Sequence, residues 1–123
     1  MATVADRVLD NGLTVLDVEA NAVHITSQQA TTFAEATSTY TLGNTTSISI
    51  SAPTDRTGGG RQVTLTAVTG ASVTASGTAT HYAIVDTSNS RLLVTSALTA
   101  SQSVTSGNTF SLEALDVGIP DPT

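Results

Sequence analysis

The first twenty residues carry a hydrophobic pattern with helical spacing. Leucines recur every three or four positions within residues 5–20, at Leu9, Leu13 and Leu16. This recurrence is typical of an amphipathic helix. The pair Asn11-Gly12 favours a hairpin turn instead, and three β-branched residues follow it. The apolar stripe is more regular than any alternation, so the pattern favours a short helix, with a hairpin as the alternative.

Beyond residue 20 the pattern changes to an alternation of apolar and polar side chains, which is typical of half-buried strands. Strands are predicted at residues 22–26, 45–52, 61–68, 72–75, 77–85, 91–98 and 108–114. The mostly polar stretch after the first strand has Phe33 and Tyr40 as its expected anchors. One helical turn is predicted there at residues 32–36, with Thr32 as its cap and Glu35 closing a capping box.

Two of the predicted strands are apolar enough to be central. Residues 77–85 and 91–98 carry apolar side chains on both faces, and a turn-forming sequence, DTSNS, joins them. They are therefore expected to form a hairpin at the centre of the sheet. The alternation breaks at residues 69–71, and a bulge is expected after residue 114, where the apolar positions change parity.

Two segments do not fit any regular element. Pro53–Gly60 contains a proline, two charges and three successive glycines, and is interpreted as a flexible loop. Ile119–Thr123 contains two prolines, which cannot donate to a sheet, and is interpreted as an extended tail. Both are candidate arms that reach a neighbouring subunit.

Short strands separated by turn residues indicate the fold class. They predict a mainly β protein, an antiparallel β-sandwich or small jelly-roll-like barrel with a short N-terminal helix. The 123 residues are expected to form a single β-rich domain over residues 1–123.

The charge balance excludes several partners. The formal net charge is −6, with ten carboxylates, four arginines and no lysine. Nucleic-acid binding depends on clustered basic residues, so no nucleic-acid partner is expected, and acidic membranes would repel the chain. The beginning of the sequence lacks the basic start and apolar run of a secretory signal. We therefore expect a cytoplasmic protein, one exported by a dedicated route, or one released by lysis within a virus particle.

Most enzyme classes lack their required residues. The chain has no cysteine, no lysine and no G-x-S-x-G sequence. The glycines at 58–60 therefore cannot belong to a GxxxxGK phosphate loop, and no serine-hydrolase elbow is present. Serines, aspartates and histidines are present, but their abundance alone does not define a triad. No catalytic residue is predicted, and the protein is expected not to be an enzyme.

Candidate ligand sites are equally sparse. A metal site would require His24 and His81 together with a carboxylate such as Asp86 or Glu35, and we favour the interpretation of both histidines as ordinary strand residues. The sequence Asn44-Thr45-Thr46 matches a glycosylation acceptor by chance. No cofactor and no metal are expected.

The acidic residues near the C-terminus are a further candidate site. Glu113, Asp116 and Asp121 lack the dense spacing of a calcium loop. We interpret them as a solvated acidic end of the chain.

The run GTATHYAIVDTSNSRLLVTSALTASQSVTSGNTFSL (Gly77–Leu112), followed by DVGIPDPT, resembles small virion structural proteins of tailed bacteriophages and prophages. Near the N-terminus, VLDNGLTVL and TTFAEATSTYTLGN (Thr31–Asn44) resemble them too. The likeness covers most of the chain and lies in overall pattern rather than in a short motif.

This resemblance implies a capsid decoration or cement protein without catalytic residues. It also implies homo-oligomers, with trimers favoured, that bind the major capsid protein where capsomers meet. The expected location is the capsid surface of a virion made in the host cytoplasm. The alternative is a tail, fibre or head-fibre module that attaches to the host surface.

Overall fold

The computed structural model describes residues 6–119, except for the side chains of residues 6–11 and 99. The elements in chain order are α1 (Asp6–Glu19), β1 (Ala22–Thr26), a π-helix (Glu35–Thr39), β2 (Thr41–Thr45), β3 (Thr54–Asp55), β4 (Arg61–Leu65), β5 (Val68–Val73), β6 (Gly77–Asp86), β7 (Arg91–Val104), β8 (Thr109–Leu112) and β9 (Leu115–Ile119).

The chain divides into two compact units. The first combines residues 1–19, 49–67 and 113–123, and the second combines residues 20–48 and 68–112. The prediction of a single domain over residues 1–123 stays a prediction.

The first unit contains α1 and a three-stranded antiparallel sheet with the strand order β3-β4-β9. Leu13 and Leu16 of the helix are buried, as are Val63 and Leu65 of β4. The helix contacts β4 and β9. The predicted N-terminal helix is therefore confirmed, and the alternative hairpin at Asn11-Gly12 is wrong. The helix is stabilised because its buried leucines pack against the sheet of the same unit.

The second unit is a six-stranded antiparallel sheet with the order β7-β6-β1-β2-β5-β8. All five residues of β1 are buried, so both faces of this central strand are covered. One face is covered by the segment between β1 and β2, through an apolar cluster built largely of alanines: Ala22, Ala30, Ala36, Ala83 and Val85, with Phe33, Tyr40 and Leu92 against it. Phe33 and Tyr40 are thus the anchors that the sequence predicts.

The two edge strands of this sheet approach each other. Nε2 of Gln102 in β7 donates a 3.1 Å hydrogen bond to the carbonyl oxygen of Ser111 in β8. The short turn between these strands is held by the amide of Gly107, which donates to the carbonyl oxygen of Val73 at 3.1 Å. The sheet is therefore strongly curled. The predicted class, mainly β with antiparallel sheets and a short N-terminal helix, is confirmed, and two antiparallel sheets are the components of a β-sandwich.

The strand predicted over residues 45–52 is wrong. The amide of Ser51 donates to the carbonyl oxygen of Thr64, and the amide of Thr66 donates to the carbonyl oxygen of Ser49, both at 2.9 Å. These bonds form only an isolated β-bridge, between Ile50 and Leu65, and not a strand. Serine side chains compete with the backbone there, because Oγ of Ser51 accepts from the amide of Thr64. The missed strand, β2, lies just before this segment.

Three other strand predictions need correction. The long strand β7 lies at the edge of its sheet rather than at the centre, although its hairpin with β6 is confirmed. The break at residues 69–71 is a register irregularity within β5, where Gly70 has a φ of 67°. Strand β9 does not continue β8 through a bulge, because it pairs with β4 in the other sheet.

The segment Pro53–Gly60 is not a loop throughout. Thr54 and Asp55 form β3, which pairs with Gln62 and Arg61. The glycines follow with φ angles of 91°, 106° and 95°, which residues with side chains rarely adopt. Of the predicted tail, Ile119 ends β9, and the remainder lies outside the described residues.

Candidate functional site

The two histidines lie on the same face of the six-stranded sheet. In the pairing of β1 with β6, Thr26 is opposite His81 and His24 is opposite Ala83. Alternate residues of a strand share a face, so His24 and Thr26 lie beside each other and His81 completes a triangle. Diagonal neighbours of this kind have Cα atoms about 7–8 Å apart, within reach of aromatic side chains. We call these three residues the histidine triangle.

The tautomer of His81 follows from its hydrogen bonds. Oγ1 of Thr80 donates to the carbonyl oxygen of Ser27 at 2.9 Å, and it also lies 2.9 Å from Nδ1 of His81. A hydroxyl group has one proton, which is used on the carbonyl, so Thr80 accepts the second bond and Nδ1 of His81 carries hydrogen. In the neutral ring, Nε2 of His81 then keeps its lone pair.

His24 has an analogous environment. Its Nδ1 lies 2.8 Å from Oγ1 of Thr41, and that hydroxyl donates a longer bond of 3.4 Å to the carbonyl oxygen of Gly43. His24 is buried, and burial lowers its pKa from the ordinary value of 6.5. Its ring is therefore neutral at pH 7.

Thr26, the third member of the triangle, is fully buried. Its Oγ1 has no hydrogen-bond partner among the described residues. A buried hydroxyl without a partner costs free energy, and Oγ1 of Thr95 in β7 has the same status. Nε2 of neither histidine is among the buried side-chain atoms that lack a partner in the described residues.

The carboxylates considered as metal ligands are engaged elsewhere. Asp86 binds within the β6–β7 turn, accepting from the amide of Ser88 at 3.0 Å and from Nδ2 of Asn89 at 2.8 Å. Both bonds lower the pKa of Asp86, and the bond from the Asn89 side chain has the larger effect. Among residues 6–119 no group of three or more histidine, cysteine or acidic side chains could hold a metal ion.

Glu35 is the first residue of the π-helix, and its side chain is hydrogen-bonded to the segment before the helix. Its Oε1 accepts hydrogen bonds from Oγ1 and from the amide of Thr31 at 2.6 and 2.8 Å, and both lower its pKa. Its own amide donates to Oγ1 of Thr32 at 3.1 Å. The bond predicted between Thr32 and the amide of Glu35 is present, but the π-helix covers Glu35–Thr39 rather than residues 32–36 and has Ala34 as its N-cap. The glutamate side chain closes on Thr31 rather than on Thr32.

The hairpin with three glycines is organised by arginines. Nη1 of Arg61 lies 2.7 Å from Oδ1 of Asp55, while Nη1 of Arg56 donates to the carbonyl oxygen of Gly59 at 3.1 Å. The stem of Arg56 lies over Gly118 of β9, where a Cβ atom would come within 2.9 Å of Cδ. Both guanidinium groups thus bind their own hairpin.

The other candidate sites are dispersed in the structure. Asn44 lies in β2 opposite His24. Asp116 accepts a 2.7 Å hydrogen bond from Oγ1 of Thr64, Glu113 is exposed, and Asp121 lies outside the described residues. The residues that sequence reasoning missed are Thr26, Thr41 and Thr80. The alternation in β1 could have placed Thr26 beside His24, but nothing distinguished the other two among 24 threonines.

Comparison with known proteins identifies no relative. None of the protein-family models, curated proteins or solved structures compared with this chain matches it. Within residues 6–119, no helix has the length and apolar character needed to cross a membrane.

Proposed function

We propose that this chain is a non-enzymatic structural protein of a tailed-bacteriophage virion, which binds the outer surface of the capsid and stabilises it. The observation that carries the proposal is the resemblance of residues 77–112, and of the sequence that follows, to small virion proteins. That run corresponds to β6, β7 and β8, three strands of one sheet. In that sheet β6 and β7 pair with each other at one edge, and β8 lies at the other edge.

The partner in this proposal is the major capsid protein. The chain has a net charge of −6, which complements basic patches on a capsid shell and favours association with them. Copies of the chain bind as homo-oligomers, with trimers favoured, at junctions between capsid subunits. Each bound copy adds contact area that must be lost before the shell opens under internal pressure.

The hairpin at residues 53–60 is the proposed arm. It exposes Thr54, Asp55 and Thr57, and 89% of the Asp55 side chain is accessible. The second arm in this proposal is the tail Ile119–Thr123, whose sequence contains two prolines, which cannot donate to a sheet.

The location is tested by immunogold labelling of phage particles from the source culture, with antibody against this protein. Gold distributed over the heads is the expected result. Gold confined to tails or to single vertices would instead favour the fibre or attachment module, and unlabelled particles would contradict a virion protein.

The arms are tested separately on capsids that lack this protein. A chain without residues 120–123 and a chain with a shortened 57–59 turn should bind these capsids more weakly than the unaltered chain does. Glu113→Gln, an exposed change outside both arms, is the matched control. Equal binding by all of these chains would contradict the role of the arms while leaving capsid binding itself intact.

A further inference from the structure

Helix α1 exposes two valines side by side. Val15 is 41% exposed and Val18 is 75% exposed, and among the side chains that the structure describes these are the large apolar ones on the surface. Residues three apart lie on one face of a helix, so the two side chains are neighbours. Leu13 and Leu16 of the same helix are buried instead. We call Val15 and Val18 the valine pair.

Neither helix formation nor packing within the described chain accounts for the valine pair. Valine is a weaker helix former than alanine, leucine or lysine, because its branched side chain loses rotamer freedom in a helix. A valine that stays exposed also gains little from the removal of apolar surface from water. Single apolar residues scattered on a surface are ordinary, whereas two adjacent ones form a patch that a partner can cover.

The same helix is strongly acidic. Residues 6–19 contain four carboxylates and one arginine, a formal charge of −3, which is half the charge of the whole chain. Asp17 is exposed next to Val18. The last turn of α1 contains no basic residue, although the C-terminus of a helix carries partial negative charge that favours cations. The valine pair therefore lies in a region of negative potential.

We propose that the valine pair is the docking surface for a protein segment that combines apolar side chains with lysines or arginines. The apolar side chains of the segment cover the two valines, and its basic groups lie beside Asp17 and the C-terminal end of the helix. A second copy of this chain is disfavoured as the occupant, because it would place another helix of the same negative charge against the first. The identity of the partner rests on the proposed function, in which the segment belongs to the major capsid protein.

The chemistry of the surface is tested with an amphipathic helical peptide composed of leucine and lysine, added to the ¹⁵N-labelled whole chain. In NMR spectra we expect amide shifts confined to α1, around Val15, Asp17 and Val18. The same peptide with glutamate in place of every lysine should not bind. Because opposite charges take part in the contact, the affinity for the lysine peptide should fall as NaCl is raised from about 50 to 500 mM.

Two pairs of variants separate the apolar contribution from the charge. Val18→Thr keeps the branched shape of the side chain but adds a hydroxyl group, and it should weaken peptide binding by about 10-fold because apolar burial is lost. Ala97→Ser, which makes an exposed position of β7 more polar, is its control and should bind as the unaltered chain does. Asp17→Asn should weaken binding, whereas Glu113→Gln, which removes the same charge outside α1, should not. Circular dichroism verifies that each variant is folded.

Three results would overturn the docking surface. The first is an absence of peptide binding to the unaltered chain, and the second is a set of amide shifts outside α1. The third is equal binding by Val18→Thr and Ala97→Ser. Sedimentation without peptide tests the other occupant: a dimer that Val18→Thr dissociates would assign the valine pair to a second copy of the chain and contradict the proposal.

The identity of the partner is tested by binding the same variants to capsids that lack this protein. Weaker binding by Val18→Thr than by Ala97→Ser is the expected result. Equal binding by both would show that the capsid is not the partner of the valine pair, while capsid binding itself stands. If the unaltered chain does not bind capsids, the proposed function is contradicted, and the peptide experiment still decides whether the valine pair is a docking surface.

Discussion

Nδ2 of Asn89 donates a 2.8 Å hydrogen bond to Oδ2 of Asp86 in the turn between β6 and β7. The second oxygen of the same carboxylate accepts from the amide of Ser88 at 3.0 Å. The residue Asp86 is only 2% exposed, so the turn is built around a largely covered carboxylate whose pKa these bonds lower. The ionised form of Asp86 therefore stabilises the hairpin that contains residues 77–104.

Replacing this carboxylate should weaken the fold in a pH-dependent way. The folded-state pKa of Asp86 lies below the ordinary 3.8, so its contribution is complete above that value and is lost as the pH falls through the folded pKa. Asp86→Asn should lower the urea midpoint at pH 7 and cause a smaller difference at pH 3. The control is Glu113→Gln, an exposed carboxylate. An unchanged midpoint at pH 7 would contradict this role of Asp86.

The hydrogen bond from Thr32 to the helical segment of residues 33–39 should contribute measurably to stability. Oγ1 of Thr32 accepts a 3.1 Å hydrogen bond from the amide of Glu35, in the first turn of that segment. Thr32→Ala should therefore reduce the free energy of unfolding by about 1 kcal/mol, as the loss of an N-cap does. The matched variant is Thr39→Ala, at an exposed position of the same helix. Equal losses in the two variants, measured by urea unfolding, would rule out a specific cap.

Gly12 is a position at which alanine should stabilise the protein. It lies within α1, where glycine is less favourable than alanine by about 0.8–1 kcal/mol. A Cβ atom there would make an ordinary contact with Cδ1 of Ile119 at 3.4 Å. Gly12→Ala should therefore raise the free energy of unfolding by about 0.5–1 kcal/mol. A loss of stability would indicate that residue 12 is not in a helix.

Gly43 should give the opposite result for the same substitution. A Cβ atom there would lie 2.5 Å from the carbonyl oxygen of Ser72 and 3.0 Å from Cε1 of Phe110. The backbone of β5 has to move to admit it, at a cost of about 1–3 kcal/mol. Gly43→Ala should unfold at lower urea concentration than the unaltered chain. Stability equal to that of the unaltered chain would show that β2 and β5 are further apart than in this structure.

The buried histidine should make stability fall in mild acid. The folded-state pKa of His24 is below the ordinary 6.5, so the unfolded chain takes up a proton first as the pH decreases. The contribution of the neutral ring is complete above pH 6.5 and decreases as the pH falls through the folded pKa. We expect the unaltered chain to lose more stability between pH 7 and pH 5 than His24→Gln does. Urea midpoints at both pH values check this, and parallel losses in the two proteins would exclude His24 as the cause.

The sequence alone determined the elements whose signal is local. The leucine stripe of α1, the alternation in β4 and the DTSNS turn between β6 and β7 depend on neighbours within a few residues, so they could be predicted from the order of residues. The prediction also identified the fold class, because short strands between turn residues pair in antiparallel sheets.

Only the tertiary structure decided which strands pair. Residues 45–52 alternate well, yet they meet β4 at a single bridge, and β7 lies at an edge despite its apolar sequence. Pairing depends on partners far along the chain, such as Thr26 with His81, whose register no local pattern encodes. For the same reason the histidine triangle emerged from the fold: its members are ordinary strand residues until the register of β1 and β6 brings them onto one face.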